Sequence, residues 1–564
     1  MEGKLISKRY ETFKVGSITF EGGGFARPAL PGDCVIVAGG RVTEIVERAE
    51  HKGLVGVLEV SSATRYGFTA RGVPIYLFVP WNKAYPPFYV GSTYADRSQN
   101  ILVIVDLEHW DATVNCPRGS CRRVIGRCGD IAAEEEALLW HACPNPWKTG
   151  RLLPILDRPL PPREGGSKFI GNTFHVDPPG CRDIDDAISI SRLGNLIDLR
   201  IHITDVGSYL VTNPWLSKAA TLGQTLYRDG QVVAGMFPGP VEEALSLLPF
   251  QTRMTITLHI VFEDLHGMLI VKLKEWLQEE IEVKESYTYD TIKLSDHAEL
   301  LKEVASALSY KSNALDDPHE WIEQLMLTYN KEAAAVLKTA RRGILRRHAA
   351  PDMDLLNRLE AIGGLPEHLA YSSGEYCGAS ELNTEHWGLS EQAYCHASSP
   401  IRRWADCVNQ MHLLEILFDQ PCGAPQADPA ALNHLAKVAK SYERDTFFLR
   451  QLLEVSTESK EISGVILDWT ESEQGFPKKL RAWIYKWKRI ITIRPPVSGW
   501  DFEPAPGLLF KATLFYNPNQ QTWKDRIVYR VTQLNPNKHL DELSDLEDNS
   551  PISRVSSPGF RPNA

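Results

Sequence analysis

The 564-residue sequence has no apolar run approaching the ~18 residues of a membrane-spanning helix, which argues against a membrane protein. It has no excess of basic charge either: the formal net charge is −10, so binding of nucleic acid would need a local basic channel. Its ten cysteines show no regular spacing, as expected of reduced thiols. Met1–Tyr10 shows no export signal. We therefore expect an intracellular, cytoplasmic protein.

The hydrophobic pattern changes along the chain and predicts several domains. The first 150 residues carry short β-type runs between turn signals, for example Lys14–Phe20, which indicates small antiparallel barrels. Lys168–Asp264 is β-rich and Asp296–Leu453 is helical, which together favour an α+β domain. The predicted domains are a shortened barrel (1–52), a second barrel (53–150), a central α+β domain (151–455), a C-terminal barrel (456–539) and a disordered tail (540–564).

Four aspartates fall within ten positions, at Asp177, Asp183, Asp185 and Asp186. Most charge runs are solvated loops, and that interpretation remains the alternative. Two features favour a site. Pro178-Pro179-Gly180 predicts a tight turn that brings Asp177 back towards the later aspartates. In a regular strand Asp186 would face away from Asp183 and Asp185, so all four converge only on an irregular backbone, which is typical of functional loops.

Convergent carboxylates repel one another unless a cation neutralises them. Hard oxygen ligands select Mg²⁺ or Mn²⁺, and Mg²⁺ is usually completed by water and substrate phosphate. Two such ions would activate water and stabilise the leaving oxygen of a phosphodiester. The cluster therefore predicts a phosphoryl-transfer site with two Mg²⁺ ions, for which Mn²⁺ is the expected substitute.

The aspartate segment resembles the signature of the RNase II (RNB) family of exoribonucleases, Asp-Pro-x-x-x-x-Asp-x-Asp-Asp-Ala. Further blocks similar to that family follow in its order. These blocks are Ile201–Val206, Gly235–Pro238, Leu245–Pro249, Trp321–Asn330, Leu345–His348 and Ser399–Asp406.

The outer regions also resemble this family. The first 150 residues are similar to two cold-shock-type OB barrels, and Gly126–Asp130 resembles the version in the eukaryotic exosome's catalytic subunit and its cytoplasmic relatives. We expect the N-terminal PIN domain of that subunit to be lacking. The resemblance implies an α+β multidomain fold: two N-terminal cold-shock-type OB β-barrels, a central α+β RNB catalytic domain and a C-terminal RNA-binding OB β-barrel.

The resemblance also implies roles for the four aspartates. Asp177 and Asp186 match metal ligands of the family, and Asp183 completes the carboxylate shell. Asp185 matches the aspartate whose loss silences hydrolysis while RNA still binds.

Four further residues receive implied roles. Arg402 and Arg403 match an arginine pair, one of which neutralises phosphate charge in the transition state, and we favour Arg402. Tyr289 matches a tyrosine that contacts the terminal nucleotide, and Tyr227 falls near the aromatic base clamp.

Two positions depart from the family pattern. Trp404 stands where the family usually has tyrosine, and Gln410-Met411 stands where it usually has His-Arg. We expect both to lie close to the phosphate site, where they would affect turnover more than folding.

Between Pro477 and Arg494, cations alternate with aromatic residues and no acid interrupts them. Cations that hold phosphates and aromatics that stack on bases are typical of single-stranded nucleic-acid binding. The alternative is a β-hairpin with its aromatics in a core and its lysines in water. The candidate RNA-binding residues are Lys478, Lys479, Arg481, Trp483, Tyr485, Lys486 and Lys488.

The expected function is a Mg²⁺-dependent hydrolytic 3′→5′ exoribonuclease that degrades single-stranded RNA, and not DNA, to 5′-monophosphates. The alternative is a catalytically inactive RNB-fold protein that binds RNA or acts as a scaffold within a larger complex. The expected partners are single-stranded RNA and an RNA-decay complex.

Overall fold

A computed structural model describes residues 1–147, 167–309, 315–471, 477–494, 502–518, 520 and 523–535. The predicted disordered tail lies outside these residues. The chain forms two compact units, one from Met1–Asn145 with Ser441–Leu543 and one centred on Pro146–Lys440. No helix within the described ranges is both long enough and apolar enough to cross a membrane.

The N-terminal part of the first unit contains eleven strands and two helices. They are β1 (Glu2–Lys4), β2 (Ile6–Arg9), β3 (Thr12–Val15), β4 (Ile18–Glu21), α1 (Gly23–Ala26), β5 (Cys34–Ala38), β6 (Arg41–Glu47), β7 (Leu54–Leu58), β8 (Ile75–Pro80), β9 (Phe88–Gly91), β10 (Ile101–His109), β11 (Arg118–Arg127) and α2 (Ile131–Ala142).

The first six strands form two small sheets, β1-β5-β6 and β2-β3-β4, around a core that includes Phe13 and Val35. The predicted single strand Lys14–Phe20 is wrong, because a turn divides it into β3 and β4. Gly16 in this turn has φ +56°, a conformation that favours glycine.

Strands β7 to β11 close into a barrel in the order β10-β11-β9-β8-β7. Its interior is filled by alternating apolar side chains, among them Tyr76, Phe78 and Phe88, which are fully buried. Helix α2 follows directly and is capped by Asp130, which accepts the Ala132 N–H at 3.0 Å.

The second unit carries the central domain. Its strands are β12 (Ser167–Lys168), β13 (Phe174–Val176), β14 (Asp186–Leu193), β15 (Leu196–Thr204), β16 (Leu226–Arg228), β17 (Gln231–Ala234), β18 (Thr252–Leu265), β19 (Met268–Glu282), β20 (Glu285–Tyr287), β21 (Ile344–Arg347) and β22 (Glu375–Gly378). Its helices are α3 (Val206–Thr212), α4 (Ala219–Leu222), α5 (Gly239–Leu245), α6 (Ala298–Leu308), α7 (Pro318–Ala340), α8 (Met353–Ile362), α9 (Trp404–Phe418) and the first part of α10 (Pro429–Thr457).

A seven-stranded sheet, in the order β12-β19-β18-β15-β14-β13-β20, forms the centre of this unit. Alternate residues of β15, such as Ile201 and Ile203, are fully buried and belong to one apolar cluster with residues of α6 and α7. Tyr329 of α7 donates its hydroxyl to the carbonyl of Ile256 at 3.2 Å, which ties the helix to the sheet. The predicted α+β architecture is confirmed.

Three strands of the sheet are joined by a buried histidine. His259 on β18 lies 2.9 Å from Asp198 on β15 and 2.9 Å from Glu275 on β19, through different ring nitrogens. Carboxylates only accept hydrogen bonds, so both contacts require the protonated imidazolium. The bond to Asp198, helped by the bond to Glu275, raises the pKa of His259 against the lowering effect of burial.

The C-terminal part of the first unit is a five-stranded antiparallel sheet, in the order β25-β24-β23-β26-β27. Its strands are β23 (Lys460–Glu471), β24 (Pro477–Ile484), β25 (Arg489–Ile493), β26 (Leu509–Tyr516) and β27 (Ile527–Asn535).

Candidate active site

The aspartates lie in the loop between β13 and β14, and Asp186 is the first residue of β14. Gly180 has φ +79°, and the N–H of Cys181 donates to the carbonyl of Pro178 at 3.2 Å. This is the turn that the Pro-Pro-Gly sequence predicts. Between the two strands the backbone is irregular, which lets neighbouring acids point in directions that a regular strand would forbid.

The segment after α5 holds this loop in place. The N–H of Leu247 donates to the carbonyl of Ile184 at 3.0 Å. The hydroxyl of Ser246 lies 2.6 Å from the carbonyl of Arg182 and accepts the N–H of Ile184 at 3.3 Å. The Leu245–Pro249 block therefore supports the backbone on both sides of Asp183.

Asp185 is the most buried of the four acids, with 3% of its surface exposed. Its Oδ1 accepts the N–H of Ile401 at 2.8 Å, and its Oδ2 lies 3.3 Å from Nε of Arg402. Burial raises the pKa of Asp185 well above its ordinary value; Arg402 and the Ile401 N–H oppose this, and the charges of Asp183 and Asp186 add to it. Three of the four aspartates therefore act on one another electrostatically.

Asp183 interacts with three side chains from other parts of the loop and the fold. The hydroxyl of Tyr227, on β16, donates to its Oδ2, and the thiol of Cys181 lies 3.5 Å from its Oδ1. Glu242 of α5 faces the same region: burial, and then the charge of Asp183, raise the pKa of Glu242 to about 7. The predicted base-clamp tyrosine thus contacts a site carboxylate. Glu242 was missed by the sequence reasoning; its one signal was its position a helical turn before Ser246.

Asp177 lies at the edge of the cluster. Its Oδ2 is 3.0 Å from Nδ1 of His175, and its N–H donates to the carbonyl of Tyr287 at 3.0 Å. Burial, and then the charges of Asp177 and Asp183, raise the pKa of the Cys181 thiol. Asp177 and Asp183 therefore both act electrostatically on the residue that follows the Pro-Pro-Gly turn.

Convergence of all four aspartates on one ion is not seen. Within the described ranges, no group of three or more His, Cys, Asp or Glu residues is arranged to hold a metal. The donor chemistry still suits Mg²⁺, which is commonly bound by one or two carboxylates and completed by water and phosphate. Asp185 offers a buried Oδ2 without a hydrogen-bond partner among the described residues. The geometry thus fits an ion held by few protein ligands, and the second ion remains a prediction.

The two arginines have different neighbours. Arg402 contacts Asp185, and its Nη2 donates to the hydroxyl of Ser399 at 3.1 Å; 47% of its side chain is exposed. Arg403 instead donates from Nη2 to Oδ1 of Asp406 at 3.0 Å. Of the pair, Arg402 is the one that the structure places on the aspartate cluster.

Tyr289 lies two residues beyond Tyr287, whose carbonyl binds Asp177. Its ring stacks on His319 at the start of α7, with ring centroids 3.8 Å apart. This position keeps the ring near the end of β20 that borders the aspartate loop.

Trp404 and Gln410-Met411 are buried, with packing and hydrogen-bonding roles in the fold, and their effect at the phosphate site stays a prediction. Trp404 and Met411 belong to an apolar core, with 6% and 7% exposure. Gln410 is fully buried: its Oε1 accepts the N–H groups of Val206 and Gly207 at 3.1 Å each, and its Nε2 donates to the carbonyl of Thr204 at 2.9 Å. These side chains join α9 to the end of β15 and the start of α3.

The RNA-contact prediction for Trp483 is wrong, because only 5% of this residue is exposed. Alternation along β24 puts the fully buried Leu480, Ala482 and Ile484 on one face and Trp483 on the other, where it is buried as well and cannot stack on a base. Arg481 forms an ion pair with Asp468 at 3.0 Å, and the hydroxyl of Tyr485 is buried. For the aromatic residues, the alternative of a packed hairpin is the better description.

The lysines of this stretch are placed differently. Lys486 and Lys488 are exposed in the turn between β24 and β25, whereas Lys479 is half-buried. Lys478 belongs to β24, but its side chain lies outside the described part of the chain. Two cations of the predicted face are thus available to a phosphate backbone.

Comparison with known families identifies two domains. The RNB domain matches residues 170–296 and 272–419, which contain the aspartate loop and both arginines. The Dis3-like cold-shock domain 2 (CSD2) matches residues 75–142, which cover most of the closed barrel and α2.

Individual proteins show the same relationship. The chain is 23% identical over 490 residues to the mouse exosome complex exonuclease RRP44, an alignment that covers 71% of this chain and 49% of the mouse protein. The chain therefore spans about half the length of that relative.

Two solved structures share the fold. Mycoplasma genitalium RNase R, in complex with ribose-methylated single-stranded RNA, superposes with a TM-score of 0.70 at 16% identity over 94% of this chain and 100% of its own. Yeast Ssd1, described as a pseudonuclease, superposes with a TM-score of 0.65 at 15% identity over 94% of this chain and 85% of its own. Residues 170–419 are thus similar to the RNB domain, which supports the resemblance to the RNase II (RNB) family.

Proposed function

We propose that the protein is a Mg²⁺-dependent hydrolytic exoribonuclease that shortens single-stranded RNA from its 3′ end and releases 5′-monophosphates. The observation that carries this proposal is Asp185, buried between the Ile401 N–H and Arg402, with Asp183 and Asp186 beside it. A carboxylate is kept in such a place at an energetic cost, because burial and like charges both disfavour its ionised form.

The residues of the site have complementary charges. The carboxylates of the loop would hold Mg²⁺, or Mn²⁺ in its place; such an ion, when bound, neutralises phosphate charge and acidifies a water nucleophile. The side chain of Arg402 is 47% exposed beside Asp185, so Arg402 could also bind a phosphate oxygen. Tyr227 anchors Asp183 and thereby limits its orientation.

The substrate and partners follow from the relatives. The RNase R structure contains single-stranded RNA, and the mouse relative is named as part of an exosome complex. We infer single-stranded RNA as the substrate, recognised over DNA through its 2′-hydroxyls, and an RNA-decay complex inside the cell, in the cytoplasm, as the setting. OB barrels bind single strands, so both terminal regions would help to capture the substrate.

The direct test is incubation of the purified protein with 5′-labelled single-stranded RNA, with Mg²⁺, with Mn²⁺, and with a chelator. We expect a ladder of products shortened from the 3′ end, in the presence of metal only. The same RNA in DNA form serves as the control and should stay intact. Full-length RNA under both metals, from protein that binds RNA, would overturn the proposal.

That outcome would support a second candidate, an inactive protein that binds RNA as a scaffold. Two observations favour it: the described residues hold no acidic group of three or more suited to a metal, and the fold is shared with a pseudonuclease. Calorimetric titration with Mg²⁺ separates the candidates further, since only the enzyme requires an ion at the aspartates.

A further inference from the structure

The turn before α9 delivers two groups to Asp185. Ile401 offers its backbone N–H at 2.8 Å, and Arg402 offers its guanidinium at 3.3 Å. Within the turn, the hydroxyl of Ser399 accepts a hydrogen bond from Arg402 at 3.1 Å, and its carbonyl accepts the N–H of Arg403 at 3.0 Å. The orientation of the Arg402 side chain therefore depends on the position of Ser399.

Ser399 is in turn held by Asp406, seven residues further on in the first turn of α9. Oδ1 of Asp406 accepts both the backbone N–H of Ser399 at 2.8 Å and Nη2 of Arg403 at 3.0 Å. Asp406 is fully buried, and its charge adds to the effect of burial in raising the pKa of the neighbouring thiols Cys395 and Cys407. A buried carboxylate of this kind needs a compensating cation, and Arg403 is the cation that contacts it.

Arg403 contacts Asp406 and is less exposed than Arg402. A quarter of its side chain is exposed, and Nε of Arg403 and Oδ2 of Asp406 are buried without a hydrogen-bond partner in the described part of the chain. Burial and the charge of Arg402 lower the pKa of Arg403, but the charge of Asp406 and the hydrogen bond to it raise the pKa, and the net direction is upward. Asp406 therefore stabilises the charged form of Arg403.

We propose that Arg403 and Asp406 form a buried ion pair that positions the Ser399–Arg402 turn, and that Arg403 acts through Asp406 and not on an RNA phosphate. Its relevance to turnover rests on the proposed function, because that function assigns Arg402 to the phosphate. Arg403 and Asp406 are then positioning residues, and the predicted role of Arg403 in the arginine pair changes.

An Arg403–Asp406 ion pair and an Arg403–phosphate contact predict different effects of mutation. Removing one partner leaves a buried, uncompensated charge that distorts the turn, whereas removing both charges leaves none. Residues that share one network show large coupling in double-mutant cycles. If Arg403 instead bound an RNA phosphate, removal of its guanidinium would cause the same loss of rate whether or not Asp406 is charged.

The experiment compares Arg403→Gln, Asp406→Asn and the double variant in the full chain. Single-turnover rates at saturating enzyme report on Arg402, and RNA affinity is measured separately. We expect each single variant to lose rate with little change in affinity, and the double variant to be at least about tenfold faster than the product of the two single losses predicts. The exposed pair Arg347 and Glu381, 3.1 Å apart, provides the matched control, Arg347→Gln with Glu381→Gln, in which we expect no coupling.

Hydrogen exchange of the amides of Ser399, Ile401 and Arg402 gives a second readout that needs no activity. We expect faster exchange in both single variants and near wild-type exchange in the double variant. Independent, multiplicative losses of rate, or unchanged exchange in the single variants, would overturn the positioning role. If the wild-type protein hydrolyses no RNA, the proposed function fails, and the exchange data still decide whether the pair positions the turn.

Discussion

Replacement of Asp185 by Asn would change the charge of the site and almost nothing of its shape. The amide oxygen of the new side chain can still accept the Ile401 N–H, which lies 2.8 Å from Oδ1 in the wild-type protein. The amide nitrogen would face Nε of Arg402, now 3.3 Å from Oδ2, so one attraction becomes a contact between two donors. Loss of one preorganised charged group should cost roughly 3–4 kcal/mol of transition-state stabilisation, or about 10²–10³ in rate.

Asp185→Asn should lower the rate of hydrolysis but leave the stability of the fold unchanged or raise it. Burial raises the pKa of Asp185 in the folded protein, so at a pH above its ordinary value of 3.8 this carboxyl group lowers the free energy of unfolding. The destabilisation grows as the pH rises towards the pKa of Asp185 in the folded protein. A neutral amide at this position has no such effect. The lost ion pair costs little, because the half-exposed Arg402 can be solvated instead. We therefore expect a melting temperature equal to or above that of the wild type.

Three measurements test this prediction together: single-turnover hydrolysis of 5′-labelled RNA, RNA binding by fluorescence anisotropy, and thermal unfolding. Asp354→Asn, which replaces an exposed acid in the first turn of α8, is the control and should match the wild type in all three. A melting temperature that falls together with the rate would show that Asp185→Asn damages the fold and not the chemistry. Unchanged hydrolysis would show that the catalytic centre lies elsewhere.

Three other outcomes are expected. Changing the exposed Lys486 and Lys488 to Ala should flatten the slope of log K against log salt by up to ~1.4 units and leave the saturated rate intact; an unchanged slope would mean solvated lysines. For His259→Gln, the wild type's greater stability against urea should be full below the ordinary pKa of 6.5 and shrink as the pH rises through the raised pKa of His259 in the folded protein; a pH-independent difference would contradict the protonated His259 between Asp198 and Glu275. Because Trp404 is buried in an apolar core, Trp404→Phe should cost about 1–3 kcal/mol of stability and leave the rate unchanged; a loss of rate at unchanged stability would show that Trp404 acts at the phosphate site.

The local backbone of the aspartate loop could be predicted from its sequence. Pro178-Pro179-Gly180 restricts the chain to a turn, and the positive φ of Gly180 is a property of that residue type. Helix α7 and the strands of the central sheet could be predicted for a similar reason, because the spacing of apolar residues follows the geometry of each element. These are short-range constraints, and they act before any tertiary contact forms.

Contacts over long sequence distances could not be predicted this way. The pairing of Asp185 with Ile401 and Arg402, the approach of Tyr227 to Asp183, and the burial of Glu242 beside them join four separate segments. No periodicity encodes such contacts, since they depend on how the sheet and helices pack. The resemblance to the RNB family indicated that these segments belong to one domain, but it did not indicate which of their atoms are in contact.

Residue type and spacing were enough to predict the order of β-rich and α+β regions, the irregular acidic loop and the chemistry that nearby carboxylates can support. Which arginine contacts Asp185 and which one balances the buried Asp406 depends on tertiary contacts. The burial of Trp404, Gln410 and Trp483 depends on tertiary contacts as well. The physical reason is burial: a side chain's role depends on its access to water and on its partners, and both are properties of the packed fold.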